Sequence, residues 1–261
     1  MRPSPASRHR LRDLAVAAGA YAALVALLLL PLLPHLRTHI LADDAFGTPG
    51  QSDAFNFLWN HWWTLKAVSL GRSPFFCDWV LPPTGVDLFY DTHLLVPTLL
   101  SAPLTALLGP VAGYNLMIAG MLMGAALAAF AFLRGTFGLG MTAALTGGAF
   151  FGFSPYFLFK AHAHPNLIGG AFWAAALGTL FHAWAKADFS GRKAAALAAF
   201  AALTFWTSLV ESFLAGVSGA MVIAACEAAS PRGAPRRIAA KLRFLAPAAA
   251  VLAVSLAVFL P

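Results

Sequence analysis

Five stretches of the chain, at positions 14–34, 111–133, 135–159, 165–181 and 244–261, contain no Asp, Glu, Lys, Arg or His. A helix needs roughly 20 apolar residues to cross the hydrocarbon core of a bilayer, so each stretch is long enough, or nearly so, to span. A sixth, 194–226, is interrupted only by Glu211. As one helix it would reach about 50 Å, far beyond a core of roughly 30 Å. It therefore reads as two spans with Glu211 at the turn. The pattern predicts an all-α integral membrane protein, one domain over 1–261, with about seven transmembrane helices at 13–34, 111–133, 137–159, 165–185, 191–209, 212–229 and 244–261.

Between the first two spans lies a long connection, 35–110, that holds six of the ten acidic residues: Asp43, Asp44, Asp53, Asp78, Asp87 and Asp91. Loops of this length in a helical bundle tend to be functional. Within it, QSDAFNFLWNHWW begins a helix, with Ser52 as candidate N-cap and Gly71 and Pro74 closing it. Asp53, Asn56, Asn60 and Thr64 share one side of that helix, and Phe55, Leu58, Trp59, Trp62 and Leu65 the other. Such a helix lies along a bilayer surface with its indoles at headgroup depth. A second, uncharged interfacial helix is expected over 94–108, before a turn at Gly109-Pro110.

Composition strengthens the membrane reading. Charged residues make up 10% of the chain, against about 25% in soluble domains. With the N terminus cytoplasmic, thirteen Lys and Arg fall on the inner side and four, Arg37, Lys66, Arg72 and Lys160, on the outer side. That asymmetry is the one the positive-inside rule expects of a multi-pass protein of the inner (plasma) membrane. The net charge of +7 then faces anionic lipid, and no nucleic acid partner is implied. Cys77 and Cys226 fall on opposite sides and cannot pair, and no zinc spacing is present.

The candidate chemistry sits on the outer side. Asp53 is either a helix-start residue or a general base at a site reached from the lipid phase. Asp87 and Asp91, in GVDLFYDTHLL, either shape a turn and cap or contact a sugar or metal. His162, His164 and Asn166, in FKAHAHPNLI, are polar lining or ligand contacts, with Lys160 and His162 suited to a phosphate; HxH has no third ligand at fixed spacing. His93 lies on the same face, and Asn56 and Asn60 line it as substrate contacts. Glu211 is flanked by membrane runs on both sides, which makes it a functional candidate. No cofactor is called for, and a divalent cation stays open.

Three pieces in order, SDAFNFLWNHWW, LPPTGVDLFYDTHLLVPTLLSAPLTALLGPVAGYNL and FFGFSPYFLFKAHAHPNLI, resemble the GT-C superfamily of membrane glycosyltransferases, and more closely a bacterial group of GT-C-like polytopic proteins. The resemblance covers roughly residues 50–185 and, more loosely, the rest. It implies transfer of a sugar from a polyprenyl-phosphate donor to a glycan, lipid or protein acceptor on the extracytoplasmic face. The acceptor-activating carboxylate of the early loop falls on Asp53, with Asp43 and Asp44 as rivals. Such enzymes have more spans and often a C-terminal soluble domain, so a truncated reading frame is expected from the ending AVFLP.

Two other classes compete. A transporter or flippase places ionisable groups near mid-membrane, whereas the acids here gather in one outer loop. A non-catalytic scaffold or inactive fragment would satisfy the plainer readings of every residue above.

Overall fold

A computed structural model describes residues 5–42, 52–88, 91, 93–229 and 236–258. Asp43 and Asp44 lie outside the described residues. The elements run α1 (Pro5–Leu28), a 3₁₀ turn (Leu33–His35), α2 (Ala54–Ser69), β1 (Phe76–Cys77), β2 (Val86–Asp87), α3 (Leu95–Leu108), α4 (Pro110–Phe137), α5 (Met141–Gly152), α6 (Pro155–Ala163), a second 3₁₀ turn (Pro165–Leu167), α7 (Gly170–Ala185), α8 (Gly191–Phe205), α9 (Leu209–Ala229) and α10 (Arg236–Ala257).

Among the described residues, five segments are helical, long and apolar enough to cross a membrane: Arg10–Leu28, Pro110–Phe137, Pro165–Ala185, Leu209–Ala229 and Ile238–Ala257. The sequence pattern counts seven by including 137–159 and 191–209, and those runs fold as shorter helices. The first breaks at Phe153-Ser154-Pro155, where Ser154 Oγ accepts from the Phe157 N–H and Pro155 opens α6. A proline has no N–H to continue the α5 ladder. α5 alone has 12 residues, about 18 Å of helix. The second ends at Phe205, as the chain turns through Trp206 and Thr207, leaving α8 with 15 residues.

α4 is the central helix. Tyr114, Ile118, Ala125 and Phe130 along it are almost fully buried, and it packs against α1, α3, α5 and α7. Where hydrocarbon surrounds a bundle, small residues let helices approach. Gly152 is one such residue, since a Cβ there would come within 2.5 Å of the Ala126 backbone nitrogen. Ala17 and Tyr21 of α1 join Ala126, Phe130 and Ala144 in one cluster. Tyr21 Oη donates to the Leu145 carbonyl at 3.0 Å. A second core, with Leu180, Leu197 and Phe244, joins α7, α8 and α10.

The long connection is built onto this scaffold. β1 and β2 form a short antiparallel hairpin in the register Phe76↔Asp87 and Cys77↔Val86. Trp63 of α2 has a packing role beside the interfacial one expected of Trp59 and Trp62. Trp63 is fully buried and packs with Ala67, Cys77 and Leu88, and its indole N–H donates to the Pro74 carbonyl at 3.1 Å. Trp59 stacks on it, centroids 6.1 Å apart and 8° from parallel, while Trp62 is 37% exposed and tilts against Trp79 at 6.0 Å. Trp63 and Ala67, with Trp59 of the expected lipid side, thus seat the hairpin on α2.

Candidate functional site

The first turn of α2 carries Asp53 at its N-cap position. Ser52, the expected cap, instead accepts from the Ala54 N–H through Oγ at 3.2 Å. The Asp53 side chain is 60% exposed, and its Oδ2 lies 3.6 Å from His164 Nδ1. His164 follows α6 at the start of the 3₁₀ turn, so the pair joins two distant parts of the chain. One and two turns along α2, Asn56 and Asn60 both reach Asp91: Asn56 Nδ2 donates to Oδ1 at 3.3 Å and Asn60 Nδ2 to Oδ2 at 3.1 Å. Residues four apart share a helix face, which is why two amides can hold one carboxylate. The His93 N–H donates to the Asp91 carbonyl at 2.8 Å. Burial pushes the His93 imidazole below its ordinary range, opposed by the charge of Asp91 and by the Leu88 backbone. Asp53, Asn56, Asn60, Asp91, His93 and His164 are thus linked in two neighbouring groups on α2.

The remaining sequence candidates go elsewhere. Asp87 is exposed on β2. Lys160 Nζ lies 5.5 Å from the Phe159 ring centroid. His162 Nδ1 donates to the Leu158 carbonyl at 2.7 Å, so His162 and His164 engage different partners. Asn166 is buried, and its Oδ1 has no partner among the described residues. Glu211 is 5% exposed and closes against Gly169 at the start of α7. Its Oε2 faces Gly169 and is buried without a hydrogen-bond partner among the described residues, while the positive dipole end of α7 lies beside it. The expected turn at Glu211 lies slightly earlier, where Ser208 Oγ accepts from the Glu211 N–H at 3.2 Å. No group of three His, Cys, Asp or Glu side chains arranged to hold a metal ion occurs among the described residues.

A buried polar seam under α2 was not anticipated. Helical periodicity puts Asn60 and Thr64 on the polar side; both are buried, and His61 with them. Thr105 Oγ1 donates to the Ser101 carbonyl at 3.2 Å. It therefore accepts from His61, 3.0 Å away, which places that ring's proton on Nε2. Nδ1 is left as a buried acceptor without a partner among the described residues. Burial pushes the His61 imidazole down to about 4. Close approach of α3 and α4 makes the seam possible: at Gly113 a Cβ would sit within 2.8 Å of Thr105 Cα. The signal in the sequence was Asn60, His61 and Thr64 close together, neutral polar groups that suit a hydrogen-bonded helix contact as well as water.

Behind α3 lies an apolar groove of about 310 Å³ between α3, α4 and the start of α7. Leu100, Leu104, Met117 and Phe172 form its sides, and Gly120 and Gly124 leave room in it. Gly169 and Ser101 tie the groove to the segments that carry His164 and His61. No protein-family model matches the sequence, and neither a curated protein nor a solved structure shows significant similarity to it.

Proposed function

We propose that the chain is a GT-C-like membrane glycosyltransferase that moves a sugar from a polyprenyl-phosphate donor to an acceptor on the extracytoplasmic face. The observation that carries this reading is the exposed Asp53 carboxylate, paired with His164 beside the Asn56–Asn60–Asp91 clamp. In this reading Asp53 takes the proton of the acceptor hydroxyl as that oxygen attacks the anomeric carbon. The bond from that carbon to the phosphate oxygen breaks, and the polyprenyl phosphate leaves with the electron pair. Positioned general bases contribute roughly 10²–10⁴-fold. The exposed Asn56 side chain contacts the sugar, the buried Asn60 and His93 hold Asp91 and its loop in place beside it, and Lys160 and His162 meet the phosphate. The apolar groove takes the first isoprene units. Asp43 and Asp44 remain the rival bases, and a divalent cation is compatible with the exposed acids.

The proposed topology has the N terminus in the cytoplasm and seven crossings, with α8 and the α5–α6 pair completing the count as short segments. Single cysteines at Ser73 and Ser230 then label from opposite sides, Ser73 from outside; labelling from one side overturns it. The activity test is sugar transfer in proteoliposomes from a polyprenyl-phosphate hexose, comparing the wild type with Asp53→Asn, Asp43→Asn and Asp44→Asn. A carrier is the second reading, favoured by Glu211 buried where the 3₁₀ turn breaks into α7, since carriers set ionisable groups at discontinuous helices. Solute counterflow that depends on Glu211, without sugar transfer, decides for it.

A further inference from the structure

The opposite end of α4 from Tyr114 and Asn115 closes with Arg134. There a cavity of about 370 Å³ opens between α1 and α4, with Arg10, Asp13, Leu14, Phe130, Ala131 and Arg134 on its walls. The walls differ in kind. Leu14, Phe130 and Ala131 are apolar. Arg134 is already engaged: Nη2 donates to Asp13 Oδ2 and Nη1 to the Leu139 carbonyl at 2.6 Å. Its charge is balanced by Asp13, which fixes the guanidinium in place. Arg10 is exposed and makes no ion pair among the described residues. Among the described residues, the cavity therefore holds one positive charge without a counterion.

His182 Nδ1 lies 3.1 Å from Thr136 Oγ1, which ties α7 to this end of α4. Arg10 begins one membrane-length helix and Arg134 stands near the end of another, so the cavity belongs at the edge of the hydrocarbon. A cationic, half-apolar recess in that place matches an acidic lipid headgroup in both its charge and its attached chain.

We propose that this cavity binds the headgroup of an anionic phospholipid, its phosphate against Arg10 and the upper part of an acyl chain along Leu14 and Phe130. A free phosphate ion would gain nothing from the apolar wall, which is why a lipid is the assigned occupant. The proposal is independent of the transferase reading.

The test uses the full chain purified in nonionic detergent, with lipid retention measured by native mass spectrometry. Dioleoyl phosphatidylglycerol is compared with dioleoyl phosphatidylcholine. Preferential retention of phosphatidylglycerol is expected, and Arg10→Gln should lower its affinity roughly fivefold, the effect of one arginine near an acidic headgroup. A Cβ at Gly135 meets nothing within 4 Å, and that residue also lines the cavity. Gly135→Leu should therefore fill the recess and remove the preference without lowering the thermal melt. Equal retention of both lipids overturns the proposal, as does phosphatidylglycerol retention that survives Gly135→Leu. Displacement of the lipid by a few millimolar sodium phosphate would reassign the cavity to a soluble anion and overturn it too.

Discussion

His164 Nδ1 lies 3.6 Å from Asp53 Oδ2, bringing the connection after α6 to the first turn of α2. The separation is longer than a hydrogen bond, and the Asp53 carboxylate stays 60% exposed and open to an acceptor from water. Under the transferase reading, Asp53→Asn keeps shape and hydrogen-bonding capacity but loses basicity. Transfer should fall by about 10²–10⁴-fold with protein abundance unchanged. His164→Ala should be milder, and Asp43→Asn and Asp44→Asn milder still. Loss of transfer in either of the last two, with Asp53→Asn active, moves the base up the loop.

His61 predicts the acid sensitivity of the fold. The folded state keeps its imidazole neutral down to about pH 4, whereas the unfolded chain binds a proton below about pH 6.5. Unfolding therefore takes up a proton in this window, and stability falls as pH drops from 6.5 towards 4. The loss from this group reaches about 3 kcal/mol at the lower end. Burial depresses the His93 imidazole as well, which adds to the loss with the same sign. His61→Phe in detergent should show a lower melting temperature at pH 7 but a shallower decline towards pH 4. An unchanged slope would place the acid sensitivity elsewhere.

Trp63 and Trp62 are adjacent in sequence and should differ sharply on substitution. Trp63 is 0% exposed and Trp62 37%. Trp63→Ala empties the seat of the β1–β2 hairpin and strands the Pro74 carbonyl, at a penalty of about 3–5 kcal/mol. Limited proteolysis should then cut within residues 72–88. Trp62→Ala should leave that segment protected, and equal cleavage of the two variants would contradict the hairpin-seating role.

Gly169 is held small by two neighbours. A Cβ would collide with Glu211 Oε2 and come within 2.7 Å of Thr207 Cγ2. Gly169→Ala should destabilise by about 1–3 kcal/mol, visible as a lowered thermal midpoint. Adding Glu211→Ala to Gly169→Ala should recover part of the loss, because one of the two clashes goes. Full tolerance of Gly169→Ala alone would mean that the start of α7 shifts freely.

What the sequence determined by itself is the class of molecule. Uncharged runs of membrane length leave helices as the simplest way to satisfy every backbone group in lipid, and that logic is local. Proline and glycine punctuation is local too, and it marked the turn at Gly109-Pro110 where α4 begins. The tertiary structure decided which faces those helices use. Asn60 and Thr64 share a polar stripe in any α-helix, but only the seat offered by α3 and α4 makes that stripe buried and gives His61 its partner, Thr105. Length alone ran a single helix through 137–159, yet the chain breaks at Ser154-Pro155 and sends His164 back to Asp53. Periodicity knows only neighbours three or four residues away, whereas Asp53–His164, Asn60–Asp91 and Arg134–Asp13 each depend on segments meeting across the bundle.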